Sequence, residues 1–410
     1  MKKSVIVIYM AVIAIPGMAQ VSKQFSLQQC IEIALNNNIG IKVAEKNVER
    51  TKDLQGTAWD VDKIELSLSQ DPTSGGSPDN ALSITQQIEF PTVYAARRHQ
   101  LKAETKAEQS KVGMLRKQVG AEIASLYWQL VYERELIDIL QQKRTYIKHY
   151  NKVASKRYEF GESRKIENLS AKRMNMDNMQ ETATAKAVVA TTQRKLMALM
   201  NTDYTVLPAE DSLIMIEWKG LDYNFMQTAE GLYAQDKLNV ADKAIKVAKG
   251  GYAPSLSLSL RNQLVISSWN PYHADRTKFN GGNFMGFEIG IGVPLFFGAT
   301  KAKVKAAKKE KEIAKLELQR VEAERKNEFA TCLENVNVAQ QRASFYRNKE
   351  MNTADELMRI GSIEYNNGEI SYFEYVNIIQ DYIDTKQKCA AAINEYNQAV
   401  ISLMRMNDEF

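Results

Sequence analysis

Between Thr92 and Glu159 the chain contains no proline, and glycine occurs only at Gly113 and Gly120; between Ala299 and Asn367 proline is again absent. If each stretch is one helix of about 65–70 residues, it runs about 100 Å at 1.5 Å per residue. No compact domain holds a rod of that length, and so long a helical pattern without internal caps points to a coiled coil. The apolar spacing agrees. Ile123, Leu126, Leu130, Ile137, Leu140 and Ile147 follow alternating three- and four-residue steps, interrupted by Glu133 and Arg144. Val376, Ile379, Ile383, Ala390, Ile393, Val400 and Met404 do the same, interrupted by Lys386 and Asn397. Both are left-handed coiled-coil seams. From Val304 to Val321 the apolar residues are smaller, as in a helix that touches neighbours on two flanks.

The chain is also written twice. Ile88-Glu89-Phe90-Pro91 is matched by Ile291-Gly292-Val293-Pro294, and Tyr158-Glu159-Phe160-Gly161-Glu162-Ser163 by Tyr365-Asn366-Asn367-Gly368-Glu369-Ile370-Ser371. Leu199-Met200-Asn201 is matched near the end by Met404-Arg405-Met406-Asn407. The offsets are 203, 207 and 206, a register that chance matches would not keep. A period this long excludes short solenoid repeats. Each half reads as a helix, two short strands, a very long helix and a returning helix. The first helix opens at Ser26-Leu27-Gln28-Gln29, a capping-box arrangement.

Strand signals arise where helix signals fail. Ile64, Leu66 and Leu68 alternate with Glu65, Ser67 and Ser69; Leu82, Ile84, Ile88 and Phe90 with Ser83, Thr85, Gln87 and Glu89. In the second half Leu256, Leu258 and Leu260 alternate with Ser255, Ser257 and Ser259, and Phe287, Ile289, Ile291, Val293 and Leu295 with Glu288, Gly290 and Gly292. Period-two alternation gives one apolar and one polar face. The joining loops, Asp71 to Pro78 and Ser267 to Gly282, are polar and rich in turn residues. In a soluble sheet the apolar faces would need a partner that the rods do not offer. In a membrane they meet lipid, and open edges must then be closed by strands of other chains. Three copies would supply twelve strands, within the usual range for outer-membrane barrels.

The opening residues read as a secretory signal: Lys2 and Lys3, an apolar stretch from Val5 to Ile15, then Gly17-Met18-Ala19 before Gln20. Cys30 lies past that point inside a helical pattern, so no lipid anchor is expected. Cys30, Cys332 and Cys389 sit among ordinary helical neighbours and read as small buried hydrophobes rather than a disulfide framework. The 54 lysines and arginines nearly balance 49 acids, which argues against a nucleic-acid partner. With 25% charged residues and a mean hydropathy of −0.38, no second apolar stretch qualifies as a membrane helix.

Met174, Met176 and Met179 carry thioethers that suit soft cations, but their spacing does not put all three on one helix face, and core packing is the expected role. His99, His149 and His273 stand apart, with no zinc-ligand spacing. No nucleophile elbow, phosphate loop or catalytic carboxylate pair is found, so neither an enzyme activity nor a cofactor is expected. Gly161 and Gly368 fit tight helix reversals, with Ser163 or Ser371 capping the returning helix.

Taken together, the phrase Phe25-Ser26-Leu27-Gln28-Gln29-Cys30-Ile31-Glu32-Ile33-Ala34-Leu35-Asn36-Asn37-Asn38, the two strand-Pro-helix units and the two Tyr-x-x-Gly turns resemble the TolC family of outer-membrane efflux proteins. The likeness covers essentially the whole mature chain. It implies a mainly α fold with a small transmembrane β-barrel portion, two tandem repeats, long coiled-coil helices and four strands per protomer, assembled as a homotrimer. It also implies a periplasmic tip formed by Tyr158, Gly161, Glu162, Ser163, Tyr365, Gly368, Glu369 and Ser371. That tip would meet a periplasmic adaptor (membrane fusion) protein linked to an inner-membrane pump of the resistance-nodulation-division type. Family members ring the tip with acids just past the second turn; Glu374 holds that place, while Asn377 stands where another acid can occur. Glu167, its counterpart in the first half, reads as part of a solvated face. Gln87 to Thr92 looks most like members paired with heavy-metal cation pumps.

The expected layout is a signal peptide at 1–19, N-terminal periplasmic helices at 20–62, barrel strands at 63–90 and a helical hairpin at 91–200. An equatorial linker at 201–224, a helix at 225–252, barrel strands at 253–297 and a second hairpin at 298–410 follow. The function expected is passive conduction through the outer membrane. The alternative is a structural periplasmic coiled-coil protein, a tether or stalk, which would leave the four strands unused.

Overall fold

A computed structural model describes residues 22–71, 79–161, 164–220, 222–264 and 283–410. The expected signal segment, both hairpin loops, His273, Glu162 and Ser163 lie outside the described residues. In chain order the elements are β1 (Ser22–Phe25), α1 (Leu27–Asn37), α2 (Ile39–Leu54), β2 (Glu65–Asp71), β3 (Asp79–Glu89), α3 (Pro91–Glu159), α4 (Lys165–Met200) and β4 (Thr205–Pro208). Then come α5 (Ala229–Lys249), β5 (Ser255–Leu264), β6 (Asn283–Gly292), α6 (Gly298–Phe345), α7 (Met351–Asn367) and α8 (Tyr372–Met406). No helix among the described residues is long and apolar enough to cross a membrane.

The ends of these elements follow from local chemistry. Ser26 caps α1 through the expected box: the Gln29 amide donates to Ser26 Oγ at 3.4 Å and the Ser26 amide to Gln29 Oε1 at 3.0 Å. Pro91 opens α3 at the first helical position, where its missing N–H has no helical partner to lose. The helix then runs unbroken for 69 residues. The second long stretch is not a single α-helix. A π-turn at Tyr346–Glu350 separates α6 from α7. One wide turn keeps the backbone helical while rotating the faces that follow it.

The starts of the long helices explain the drifting offset between the halves. Pro91 and Gly298 lie 207 positions apart, the spacing of the Tyr-x-x-Gly turns, whereas the strand ends lie 203 apart. The four additional residues therefore sit in the connector before α6, not in the helix. β6 ends at Gly292 as β3 ends at the matching Glu89, leaving Val293 and Leu295, like Ile64 and Phe90, outside their expected strands.

The chain divides into two compact units. One contains Met1–Asn38, Glu122–Glu217 and Val338–Gln398. Its core is rich in tyrosine: Tyr150, Tyr365, Tyr372, Tyr375 and Tyr382 are buried with Ile139, Met358, Ile379 and Ile383. The Tyr365 and Tyr375 rings stack with centroids 4.4 Å apart, and Tyr150 lies 4.7 Å from Tyr372. The predicted seams are largely inside: Ile123, Leu130, Leu140, Ile147, Ile379, Ile383, Ala390 and Val400 are buried, Val400 in the second unit. Glu133, a polar interruption, is buried too and accepts from Thr192 Oγ1 at 2.8 Å and Gln129 Nε2 at 3.0 Å.

This unit also holds a sheet that the sequence does not announce. Separate from the four expected strands, β1 and β4 form a short parallel pair matching Ser22 with Thr205 through Phe25 with Pro208. The buried Tyr127 fastens it. Its hydroxyl contacts Phe25 O at 2.9 Å and Glu210 Oε2, and accepts from the Ala209 amide at 3.1 Å. Asn397 interrupts its seam for a reason: fully buried, it accepts from the Ile216 amide at 2.9 Å and donates to Ile214 O at 2.7 Å.

The other unit contains Ile39–Ala121, Trp218–Asn337 and Ala399–Phe410. Here Arg325 donates to Glu230 at 2.7 and 3.0 Å and also pairs with Glu328. The hydrogen bonds to Glu230 raise the guanidinium's already high pKa further. Buried Asp236 accepts from Ser110 at 2.7 Å and faces Lys106 at 3.0 Å. The expectation that the Val304–Val321 stretch touches neighbours on two flanks is half met within the chain. Val304 is buried, whereas Ile313 and Leu316 are exposed.

Candidate functional site in the sheet and the helical tips

The four predicted strands form one antiparallel sheet in the order β2-β3-β5-β6. Its register sorts the side chains into two continuous faces. Leu66 pairs with Ile84, Ile84 with Leu260 and Leu260 with Phe287, so one apolar row crosses all four strands. Ile88, Leu256 and Ile291 form a second row, and between them lies Leu258 with Ile289, paired on β3 with the polar Gln86. The described residues leave most of this face open: Leu68 is 76% exposed and Phe287 78%, while Ile88 and Leu256 are half-buried. Moving such a side chain out of water is worth about 1.5–3 kcal/mol, so a face of this extent demands an apolar partner.

The opposite face is polar. Glu65, Thr85, Ser259 and Glu288 form one row, and Ser67, Ser83 and Arg261 the next. Thr85 Oγ1 and Ser259 Oγ are 3.1 Å apart, a direct cross-strand hydrogen bond. Polar groups of both signs along such a surface suit contact with water and mobile ions. The sheet ends on β2 and β6, whose outer backbone groups need pairing once water is removed.

The tips belong to the first unit. Gly161 and Gly368 both adopt positive φ, +73° and +78°, as the predicted reversals require. At the second turn the Glu369 amide reaches back to Glu364 O at 2.8 Å. Ser371 caps α8: the Glu374 amide donates to Ser371 Oγ at 3.3 Å and the Ser371 amide to Glu374 Oε2 at 2.7 Å. The exposed Glu374 is thus the third residue of a capping box, and the hydroxyl and amide of Ser371 hold its carboxyl below the usual range. Asn377, one turn on, is also exposed.

The first turn is built differently. The N-cap of α4 is Arg164, one residue beyond the expected Ser163, and its side chain makes no capping bond. Tyr158, Phe160, Ile166 and Leu169 are exposed around it, whereas Tyr365 of the second turn is buried. Glu167, expected on a solvated face, is half-buried, and its carbonyl accepts from Tyr372 Oη at 2.9 Å. That bond joins the starts of the two returning helices. Nothing in the local sequence announces it.

Two of the three methionines on α4 depart from the expected core role: Met176 and Met179 are exposed. They extend from the outer side of the helix, because Ala171 and Asn178 take the buried side. No group of three or more His, Cys, Asp or Glu able to hold a metal ion occurs among the described residues. Cys30 and Cys389 are buried and Cys332 half-buried, all three as free thiols.

A four-stranded sheet with an uncovered apolar face, in one chain with helices of this length, is an architecture shared with solved outer-membrane channels. Residues 232–407 match the model of the outer membrane efflux protein family, and the chain has the TolC-type fold. The CmeC outer membrane channel of Campylobacter jejuni superposes with a TM-score of 0.74 at 16% identity, covering 93% of this chain and 85% of that one. VceC of Vibrio cholerae gives 0.73 at 14% identity, with 93% and 95% covered. The open state of MtrE from Neisseria gonorrhoeae gives 0.75 at 15%, with 93% and 88% covered. No curated protein matches the sequence itself. The family is one of transport channels and not of enzymes.

Proposed function

We propose that this chain is an outer-membrane efflux channel that works as a homotrimer, conducting cargo passively from a periplasmic adaptor and an inner-membrane pump of the resistance-nodulation-division type. The observation that carries the reading is the sheet: one face largely apolar and exposed, the other polar, and both edges open. Each unpaired backbone group in hydrocarbon costs several kcal/mol, so the edges require strands from sister chains. Three four-stranded sheets make a twelve-stranded barrel, an even number within the outer-membrane range. Its lumen takes Glu65, Thr85, Ser259, Glu288 and Arg261. Exposed Ile313 and Leu316 on α6 supply a flank for a neighbouring subunit's helices.

Residues 1–19 act as a cleaved signal peptide, with no lipid anchor, and the helices extend into the periplasm. The adaptor meets the tips at Tyr158, Gly161, Glu162 and Ser163 and at Tyr365, Gly368, Glu369 and Ser371. The exposed Tyr158 and Phe160 offer it an apolar foothold. Three copies of Glu374, each followed one turn later by Asn377, ring the axis and attract cations, and heavy-metal cations are the cargo class that Gln87 to Thr92 favours.

Chemical cross-linking of detergent-extracted outer membranes tests the assembly. A trimer is expected; recovery of the mature chain as a monomer soluble without detergent overturns it. For the gate, Glu374→Ala is expected to weaken block by divalent cations in planar-bilayer conductance. Unchanged block removes Glu374 from that role.

A further inference from the structure

At one end of the sheet Ser255 is paired with Glu89 on one side and Gly292 on the other. Around this end the chain exposes Trp59, Phe90, Tyr252, Leu295, Phe296 and Phe297, with Phe296 93% exposed. Tyr252 and Phe297 touch, their centroids 5.7 Å apart. Three of the six lie in the connector by which the second half outruns the first. Pro91 starts α3 directly, whereas Leu295, Phe296 and Phe297 intervene between Pro294 and α6. These residues extend the apolar face of the sheet without a break in the chain.

The charge just beyond this end is one-sided. From its start α6 carries Lys301, Lys303, Lys305, Lys308 and Lys309 before its first acid, Glu310. Lys309 is paired with Glu312 and Lys311 with Asp242. Exposed Lys301, Lys303 and Lys305 have no such carboxylate partner among the described residues. At the matching start of α3 only Arg97 is paired among the described residues, with Glu89 at 2.8 Å and over the Tyr94 ring, and exposed Arg98 and Lys102 add two cations against the five lysines of α6. An exposed aromatic band beside unpaired lysines is not the composition of a protein contact, whose core is depleted in lysine. It is the composition that suits the boundary between acyl chains and headgroups, where amphipathic aromatics settle and lysines meet phosphate.

We propose that this end of the sheet is a seat for anionic phospholipid, with Trp59, Tyr252, Phe296 and Phe297 at the acyl–headgroup boundary and Lys301, Lys303 and Lys305 binding the headgroup phosphates. The proposal rests on the sheet spanning the membrane. Each lysine near an anionic surface contributes about fivefold to affinity at low salt, and the contribution is screened by added salt.

The test uses full-length protein reconstituted into vesicles of phosphatidylcholine and phosphatidylglycerol in equal parts. Phe296→Trp reports on the seat and Leu258→Trp on the middle of the sheet, each read against wild-type emission. Lipid brominated near the headgroup is expected to quench the Phe296→Trp signal, and lipid brominated near the chain end the Leu258→Trp signal. If Leu258→Trp is quenched and Phe296→Trp is not, or if Phe296→Trp responds most to chain-end bromine, the seat is wrong while the membrane reading stands. If neither is quenched, the membrane reading falls as well.

The anionic preference is read as quenching of Phe296→Trp by brominated phosphatidylglycerol relative to brominated phosphatidylcholine. Adding Lys301→Ala, Lys303→Ala and Lys305→Ala is expected to reduce that preference by about fivefold per lysine at low salt. High salt is expected to bring the unaltered lysines to the same level, a control that needs no lysine variant. A preference insensitive to both changes overturns the phosphate-binding role.

Discussion

The two helical tips share a Tyr-x-x-Gly turn and the same positive-φ glycine, yet they are finished differently. In the second, Tyr365 is 4% exposed and stacked on Tyr375, and Ser371 with Glu374 closes the start of α8. In the first, Tyr158 is 41% exposed, Arg164 makes no side-chain cap, and Phe160 is 78% exposed. One motif thus serves two ends: a turn fixed by its own chain, and a turn whose apolar residues are left for contact with something else. The turn chemistry dictates the reversal. The flanking residues decide what becomes of its surface.

Removing the tyrosine should separate the tips most sharply. Tyr365→Ala is expected to destabilise its hairpin by about 3–5 kcal/mol, as for other buried aromatics. Tyr158→Ala should stay within about 0.5 kcal/mol, the range of surface changes. Hydrogen exchange of the α7 and α3 end amides reads both, and equal losses would abolish the distinction. Gly161→Ala and Gly368→Ala, by contrast, should each cost about 1–2 kcal/mol, because alanine resists the left-handed conformation. A difference between them would mean that the turns are not equivalent.

A smaller effect is expected at the caps. Ser371→Ala should weaken the start of α8 by about 1 kcal/mol, while Arg164→Ala should leave α4 unchanged, as exchange of the first-turn amides would show. The smallest effect concerns acid. Glu374 has a folded-state pKa below its unfolded value, so its contribution is complete above the unfolded pKa, near 4.3, and is lost as pH falls through the folded value. Faster exchange at the start of α8 below about pH 4, abolished by Glu374→Gln, is the expected sign.

What could be read in advance divides along physical lines. Proline-free length and apolar spacing are local signals, so the α3 rod and its seam from Ile123 to Ile147 were legible. So was the face alternation of the strands, because period two is set by each strand alone. The pairing of β1 with β4 was not: four residues, Ser22 to Phe25, meet four others about 180 positions away. Too short to alternate, they are held by Tyr127, a residue that looks like ordinary helix packing. Asn397 misled in the same way, reading as an interruption of the seam when its side chain satisfies the backbone at Ile214 and Ile216. The Tyr372 bond to Glu167 depends on two hairpins lying together, which spacing along either one does not disclose. The shift from 203 to 207 was visible as a number, but only the start of α6 at Gly298 locates the four residues in the connector.

Cys30 is wholly enclosed where α1 meets its neighbours, and burial pushes its thiol up to about 12. Under the export proposed above, an unpaired thiol risks mixed disulfides, since the thiolate is the attacking species. Here the hazard ends once α1 docks, because the sulfur then loses both access and its anionic form. The same residue is therefore a built-in chronometer of maturation: alkylating reagents can mark it in nascent chains and must miss it in finished ones.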